Sequence, residues 1–167
     1  MGREIRMVPA DWQHPKDDDG RYIPLHDNYN SDAQRWDEEV AMWAKGMRRD
    51  YGTDGWKPIE AEYAEWPLED WGGKRPRPED YMPQWKPEER THLMMYENTS
   101  EGTPISPAFS APEELARWLA DNNASAFGGM TATYEQWLAT CNSGWAPSAV
   151  IDGGVFRSGV AAMAKTE

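Results

Sequence analysis

Residues 92–123 constrain the fold more than any other stretch, because a strand pattern is followed at once by a helix pattern. The segment 94–109, MMYENTSEGTPISPAF, has an apolar start, a polar turn at 98–102 and a second extended part. The next residues, SAPEELARWLADNN, are typical of a capped helix with Pro112 in its first turn. This order predicts an α+β protein in which helices cover a sheet.

The rest of the chain extends this pattern to a small antiparallel sheet packed with about three helices. Asp152-Gly153-Gly154 has the turn chemistry of a two-residue β-hairpin. Residues 4–9 alternate polar and apolar side chains and predict a short edge strand that ends at Pro9. The predicted sheet strands are 92–97, 103–109, 149–151 and 155–158, and the predicted helices lie near 32–48, 112–122 and 133–142.

Capping boxes and apolar stripes support the three helices. The predicted capping boxes pair Ser31 with Gln34, Ser110 with Glu113, and Thr133 with Gln136. Each helix has one apolar stripe that must be buried against other parts of the protein. The stripes predict that Trp118, Trp137 and Cys141 are core residues.

Residues 53–91 are the least regular part of the chain. They hold six prolines and four tryptophans together with many charged side chains. Prolines at this density forbid a long helix or a central strand. We therefore expect a single domain, 1–167, in which 53–91 forms an extended Pro/Trp-rich arm that wraps the core, with a short helical piece at 60–66.

Composition limits the classes of partner. The 167-residue chain has a formal net charge of −12, which repels nucleic acid and anionic membranes and favours basic partners. Solubility alone also accounts for such a charge. Ten tryptophans and seven tyrosines supply enough buried area for one core despite a modest apolar content.

No catalytic, metal or cofactor signature is present in the sequence. His14, His26 and His92 are far apart, Cys141 is the single cysteine, and the acidic run 17–20 departs from a calcium loop. We therefore predict no metal site, no cofactor and no enzymatic activity. The N-terminus lacks an apolar signal core and no stretch is long enough to span a membrane, so the sequence predicts a soluble intracellular protein.

The Trp-rich segment is the main candidate for a functional surface. Its rings can dock on the core, form a protein-binding hot spot or stack on nucleic acid, and the many carboxylates of the segment disfavour the last. The candidate partner-binding residues are Trp56, Trp66, Trp71, Trp85, Glu65, Glu69 and Asp70.

Several segments together resemble a recurring family of small proteins from tailed bacteriophages. The resemblance runs through DYMPQWKPEERTHLMMYENTSEGTPISPAF, PEELARWLADNNASAFGG and GWAPSAVIDGGVFRSGV. The stretch VPADWQHPKDDDGRYIPLHD resembles the N-termini of some members. The family has no established activity and so implies no catalytic residues. Some relatives carry cysteine-rich, zinc-ribbon-like insertions, which this chain lacks.

The resemblance implies a phage-encoded accessory protein in the host cell cytoplasm. Such a protein binds and inhibits or modulates a host protein, for example a basic component of an anti-phage defence, through an acidic surface that can imitate nucleic acid. The alternative is a protein that sequesters a small molecule such as a nucleotide immune signal, with basic groups from Arg21, Lys57, Arg117 or Arg157. An enzyme without a recognisable motif and a minor virion component also stay open.

Overall fold

The computed structural model describes residues 2–99 and 102–164. It is an α+β protein, as the sequence predicts. The chain divides into two compact units. Met1–Leu25 and Gln84–Glu167 form the first, which we call the sheet unit, and His26–Pro83 form the second, which we call the insert unit.

The secondary structure of the described residues alternates between short strands and helices. The strands are β1 (Gly2–Val8), β2 (Met47–Asp50), β3 (Gly55–Pro58), β4 (His92–Glu97), β5 (Thr103–Pro104), β6 (Trp145–Pro147), β7 (Ala149–Asp152) and β8 (Val155–Ser158). The α-helices are α1 (Tyr29–Trp43), α2 (Leu68–Gly72), α3 (Pro112–Asp121), α4 (Tyr134–Ser143) and α5 (Gly159–Met163).

The main sheet of the sheet unit is antiparallel and has the strand order β5-β4-β1-β6. Strand β1 was predicted at an edge, but it lies inside the sheet and pairs with both β4 and β6. The prediction depended on Pro9 and on the alternation over 4–9, and neither indicates that the charged side chains of Arg3 and Arg6 can be buried. In the structure both are buried: Arg3 forms an ion pair with Glu97, and Arg6 one with Glu4.

The second predicted strand, 103–109, is regular only over β5. Beyond Pro104 the pairing continues through separate bonds, with the amide of Ile105 donating to the Met95 carbonyl. The Ser106 hydroxyl then takes the place of a backbone acceptor by accepting the Met95 amide at 2.9 Å. Pro104 and Pro107 have no amide proton to donate, which explains why the strand is interrupted.

The predicted hairpin at 149–158 is formed, with Gly153 and Gly154 both at positive φ in its two-residue turn. It forms a separate two-stranded sheet and does not join the main one, contrary to the prediction. The place beside β1 is taken by β6, which the sequence did not indicate as a strand. A Cβ atom at Gly2 would lie 2.0 Å from the Ala146 carbonyl oxygen, so this close pairing requires glycine.

The core lies among β4, β6, α3, α4 and α5. Trp137 is fully buried, and Cys141 is buried beside it, as predicted. Burial raises the pKa of the Cys141 thiol to about 12. Trp118 was predicted to be buried as well, but it is only half-buried and packs on the margin of the core, where its ring lies 6.2 Å from that of Phe109.

The helix ends agree with the predictions only in part. The Thr133–Gln136 capping box of α4 is present, and Gly144 ends that helix in the left-handed conformation. Helix α3 begins at Pro112 after Ala111, while the Ser110 hydroxyl bonds to the Glu114 side chain and does not cap the helix.

The first helix differs from its prediction at both ends. Helix α1 begins after Asn28, three residues before the predicted cap Ser31, and it ends at Trp43. The chain turns at Gly46, which has a φ of 74°, and 47–50 then pair with 55–58 as β2 and β3. The apolar spacing that extended the predicted helix to 48 therefore belongs to two different elements.

The residues of the predicted arm, 53–91, are divided between the two units. In the insert unit they include β3, a 3₁₀ turn at Ala61–Tyr63 and α2. The 3₁₀ turn lies within the short helical piece predicted at 60–66. Residues 84–91 belong to the sheet unit and precede β4.

Candidate functional site

Four aromatic side chains of the insert unit form a cluster that is open to solvent, which we call the aromatic surface: Trp43, Tyr63, Trp66 and Trp71. Tyr63 lies at its centre, with its ring centroid 5.2 Å from that of Trp66 and 4.9 Å from that of Trp71. Trp43 approaches Trp71 at 6.1 Å. Trp66 is 46% exposed and Trp71 is 37% exposed, so two large rings remain available for contact.

Polar contacts hold these rings in place. The indole N–H of Trp43 donates to the Trp66 carbonyl oxygen at 2.9 Å, which ties α1 to the turn before α2. The guanidinium of Arg48 lies 5.0 Å from the centre of the Trp71 ring, a cation–π geometry. Arg48 is itself fixed by a two-point ion pair with Glu60. Through its hydrogen bonds, Arg48 lowers the pKa of Glu60 to about 2.

Carboxylates lie next to the exposed rings in the sequence. Glu65, Glu69 and Asp70 are all exposed, and the last two lie in the first turn of α2. The same short helix carries Trp71, while Leu68 is buried and anchors it. Aromatic rings and negative charges are therefore presented together by residues 65–71.

The other two predicted tryptophans lie elsewhere. Trp56 is half-buried in β3, where the Arg49 guanidinium covers its ring at 4.7 Å. Trp85 belongs to the sheet unit and packs edge-on against Trp12 at 4.7 Å. Sequence reasoning did not include Trp43 and Tyr63 in the site, although the position of Trp43 on the apolar stripe of α1 indicated that it contacts other residues.

The sheet unit contains a different feature, a half-open cavity of about 490 Å³, which we call the Trp12 cavity. Met94 and residues 104–108 form one side of it, and these belong to the stretch that carried the first fold prediction. The remaining lining residues are Ala10, Trp12, Gln13, His14, Lys16, Tyr22 and Trp118.

Trp12 and His14 are held by one hydrogen-bonded network around Tyr96. The indole N–H of Trp12 donates to the Tyr96 hydroxyl at 3.1 Å, and Nδ1 of His14 lies 3.1 Å from the same oxygen. Nε2 of His14 is 2.7 Å from the Ile23 carbonyl oxygen, which can only accept, so this nitrogen carries the proton. Burial, together with the nearby Arg6 charge, lowers the pKa of His14 and favours this neutral form.

The two side chains of the Trp12 cavity that could act as a base or a nucleophile, His14 and Ser106, are hydrogen-bonded to neighbouring groups. The His14 ring contacts Tyr96 and Ile23 through its two nitrogens, and the Ser106 hydroxyl donates to the Pro107 carbonyl at 2.8 Å. These contacts give the cavity fixed walls. They do not arrange a nucleophile next to a base.

The four basic residues considered for an anionic ligand do not line the Trp12 cavity. Arg21 forms ion pairs with Asp17 and Asp19, and Arg117 stacks on Tyr134 at 3.9 Å. Lys57, in the insert unit, forms an ion pair with Asp50.

Within 2–99 and 102–164, no group of three or more His, Cys, Asp or Glu side chains is arranged to hold a metal ion. Each helix in these ranges is too short or too polar to cross a bilayer. No protein-family model, curated protein or solved structure matches the chain.

Proposed function

We propose that this protein is a phage-encoded, non-enzymatic accessory protein that binds and inhibits a host protein, with the aromatic surface and the carboxylates beside it as the contact. The observation that carries the proposal is the exposure of Trp66 and Trp71 on a cluster whose other rings are fixed. The phage context comes from the sequence resemblance described above.

The physical argument begins with the tryptophans. A few large, well-held rings usually supply most of the binding energy of a protein interface, and tryptophan is enriched among them. Ordering a free side chain on binding costs affinity, and the contacts of Tyr63 and Arg48 reduce that cost here. Trp66 and Trp71 therefore have the properties expected of anchors.

Charge defines the kind of partner. Glu65, Glu69 and Asp70 carry negative charge next to the anchors, in a chain with a net charge of −12. Such a surface accelerates encounter with a basic protein surface and disfavours an acidic one. A host protein that itself binds nucleic acid, including a component of anti-phage defence, has the complementary charge.

The test compares three forms of the purified protein as bait in a lysate of the bacterial host: wild type, W66A/W71A and Y51A. Tyr51 is a matched control because it is 77% exposed in the same unit but makes no ring contact with the aromatic surface. We expect a host protein that wild type and Y51A capture and W66A/W71A does not. Equal capture by all three forms would show that the aromatic surface is not the contact.

A second comparison tests the charge. With the captured protein purified, E65Q/E69Q/D70N should weaken binding and flatten its dependence on salt, because screening acts mainly on exposed charges. The control D11N/D18N/E88Q removes the same number of exposed carboxylates from the sheet unit. Failure of the wild-type protein to capture any host protein would contradict the proposed function as a whole.

A further inference from the structure

The Trp12 cavity has the size of a small-ligand site. Its volume of about 490 Å³ lies within the usual range for such sites, and its lining combines apolar side chains with a somewhat larger polar surface. Three aromatic residues, Trp12, Tyr22 and Trp118, contribute to its walls together with Met94 and Ile105.

Contacts within the protein hold these walls in place. Trp12 is held by Trp85 on one side and by the Tyr96 hydroxyl through its indole N–H. The His14 ring lies edge-on to Tyr22 at 5.5 Å and is fixed by its own two hydrogen bonds. A cavity with fixed aromatic walls favours a flat, rigid ligand, because little ordering entropy is lost on binding.

The charge of the cavity lining is opposite in sign to the net charge of the protein. No Asp or Glu is among the described residues that line it, and Lys16 supplies its positive charge. The Lys16 ammonium lies 4.6 Å from the centre of the Tyr22 ring. Four carboxylates lie close to the lining in the sequence: Asp17 and Asp19 form ion pairs with Arg21, while Asp11 and Asp18 are exposed and do not line the cavity. A cation at an aromatic wall, with no carboxylate in the lining, is suited to an anion attached to a ring.

We propose that the Trp12 cavity binds a small planar aromatic ligand that carries one anionic group, with the ring against the aromatic walls and the anion at Lys16. Both a nucleoside monophosphate and an aromatic carboxylate have this chemistry. The site lies in the sheet unit and does not depend on the proposed contact of the insert unit.

Calorimetric titration with matched acid and neutral compounds tests the proposal. The pairs are adenosine 5′-monophosphate with adenosine, and indole-3-acetate with indole-3-acetamide. We expect the acid of at least one pair to bind more tightly than its neutral partner. If only adenosine 5′-monophosphate or only indole-3-acetate binds, the result identifies the class of anion, and either result supports the proposal.

Two substitutions locate the binding. Lys16→Gln should weaken binding of the acid about fivefold and leave the neutral compound unchanged, as for the loss of one exposed charge contact. Lys45→Gln, which removes an exposed lysine from the insert unit, should have no effect. Tyr22→Leu should weaken both members of the pair about tenfold through lost stacking, whereas Trp145→Leu, at an exposed ring outside the cavity, should not.

Either of two results would overturn the proposal. One is the absence of saturable binding for both acids at millimolar concentration by a folded wild-type protein. The other is equal binding of acid and neutral compounds with no change in K16Q. The W66A/W71A variant should bind the ligand normally, so a failure here and a failure of the proposed partner binding are distinguishable.

Discussion

At the scale of single residues, His14 couples the sheet unit to pH. Its ring is buried, and both nitrogens are used by Tyr96 and Ile23, an arrangement that suits the neutral form. Protonation adds a charge in a site that desolvates it and lies near Arg6. The lowered pKa of His14 therefore has a measurable consequence for stability.

We expect the melting temperature of the wild-type protein to fall as pH decreases below about 6.5. The pKa of His14 is lower in the folded state than in the unfolded chain. As pH falls through the range between these two pKa values, the unfolded chain takes up a proton at His14 before the folded protein does, and the free energy of unfolding decreases. Thermal unfolding between pH 7 and 5.5 measures this, because most carboxylates stay ionised there. The decline should be smaller in His14→Gln, and an identical decline in that variant would contradict the assignment.

A second prediction at this scale concerns Glu60. Its carboxyl should titrate at about pH 2, and in Arg48→Gln the pKa should return towards the ordinary value of 4.5. Since the folded-state pKa is lowered, the ion pair contributes stability above pH 4.5 and loses it as pH falls towards 2. Carbon-13 NMR of the side-chain carboxyl measures both values. A wild-type midpoint near 4.5 would show that the pair with Arg48 does not form in solution.

At the scale of elements, the helix ends show that residues with capping-box spacing do not always cap a helix. Thr133 and Ser110 both precede a Glu or Gln by three residues, the usual capping-box spacing. The Thr133 side chain accepts the Gln136 amide, but Ser110 lies one residue too early because α3 begins after Ala111. Pro112 at the first helical position determines where α3 begins.

Substitution of the two residues should therefore give unequal results. We expect Thr133→Ala to lower the free energy of unfolding by about 1 kcal/mol, the usual cost of a lost N-cap. Ser110→Ala, in the same unit, should change it by less than about 0.5 kcal/mol, because its bond to Glu114 is on the surface. Urea unfolding of both variants provides the measurement. Equal losses would mean that Ser110 caps α3 in solution.

At the scale of the whole molecule, burial distinguishes two tryptophans that look equivalent in the sequence. Both lie on helical stripes, yet Trp137 is fully buried and Trp118 is half-buried. The difference arises because α3 meets the rest of the core through Leu115, Ala116 and Leu119. Trp118 lies to the side of that contact and lines the Trp12 cavity.

The two alanine variants should reflect this difference. Trp137→Ala should lower the free energy of unfolding by about 3–5 kcal/mol, since it leaves a large cavity in the core. Trp118→Ala should lower it by about 1–2 kcal/mol, because only part of that side chain leaves water on folding. Denaturant unfolding followed by far-UV circular dichroism measures both. A cost for Trp118→Ala as large as that for Trp137→Ala would contradict its position at the margin of the core.

Local chemistry alone determined the α+β class, the end of α4 at Gly144 and the hairpin at 149–158. Turn residues, capping residues and helical spacing act over a few neighbouring positions, so they can be interpreted before any fold is known. For the candidate site, the same information indicated the four tryptophans of 53–91 and three carboxylates beside two of them, Trp66 and Trp71. It could not indicate which rings meet.

Tertiary structure decided the remaining features. In its central position, β1 buries Arg3. The cost of burying this charge is offset by an ion pair with Glu97, which is distant in the sequence. The aromatic surface likewise forms only because α1 places Trp43 next to Trp71. The Trp12 cavity forms only because residues from 10–22 lie opposite 104–108. Contacts between distant segments depend on how all elements pack at once, and that packing is the information which short-range patterns in a single sequence do not contain.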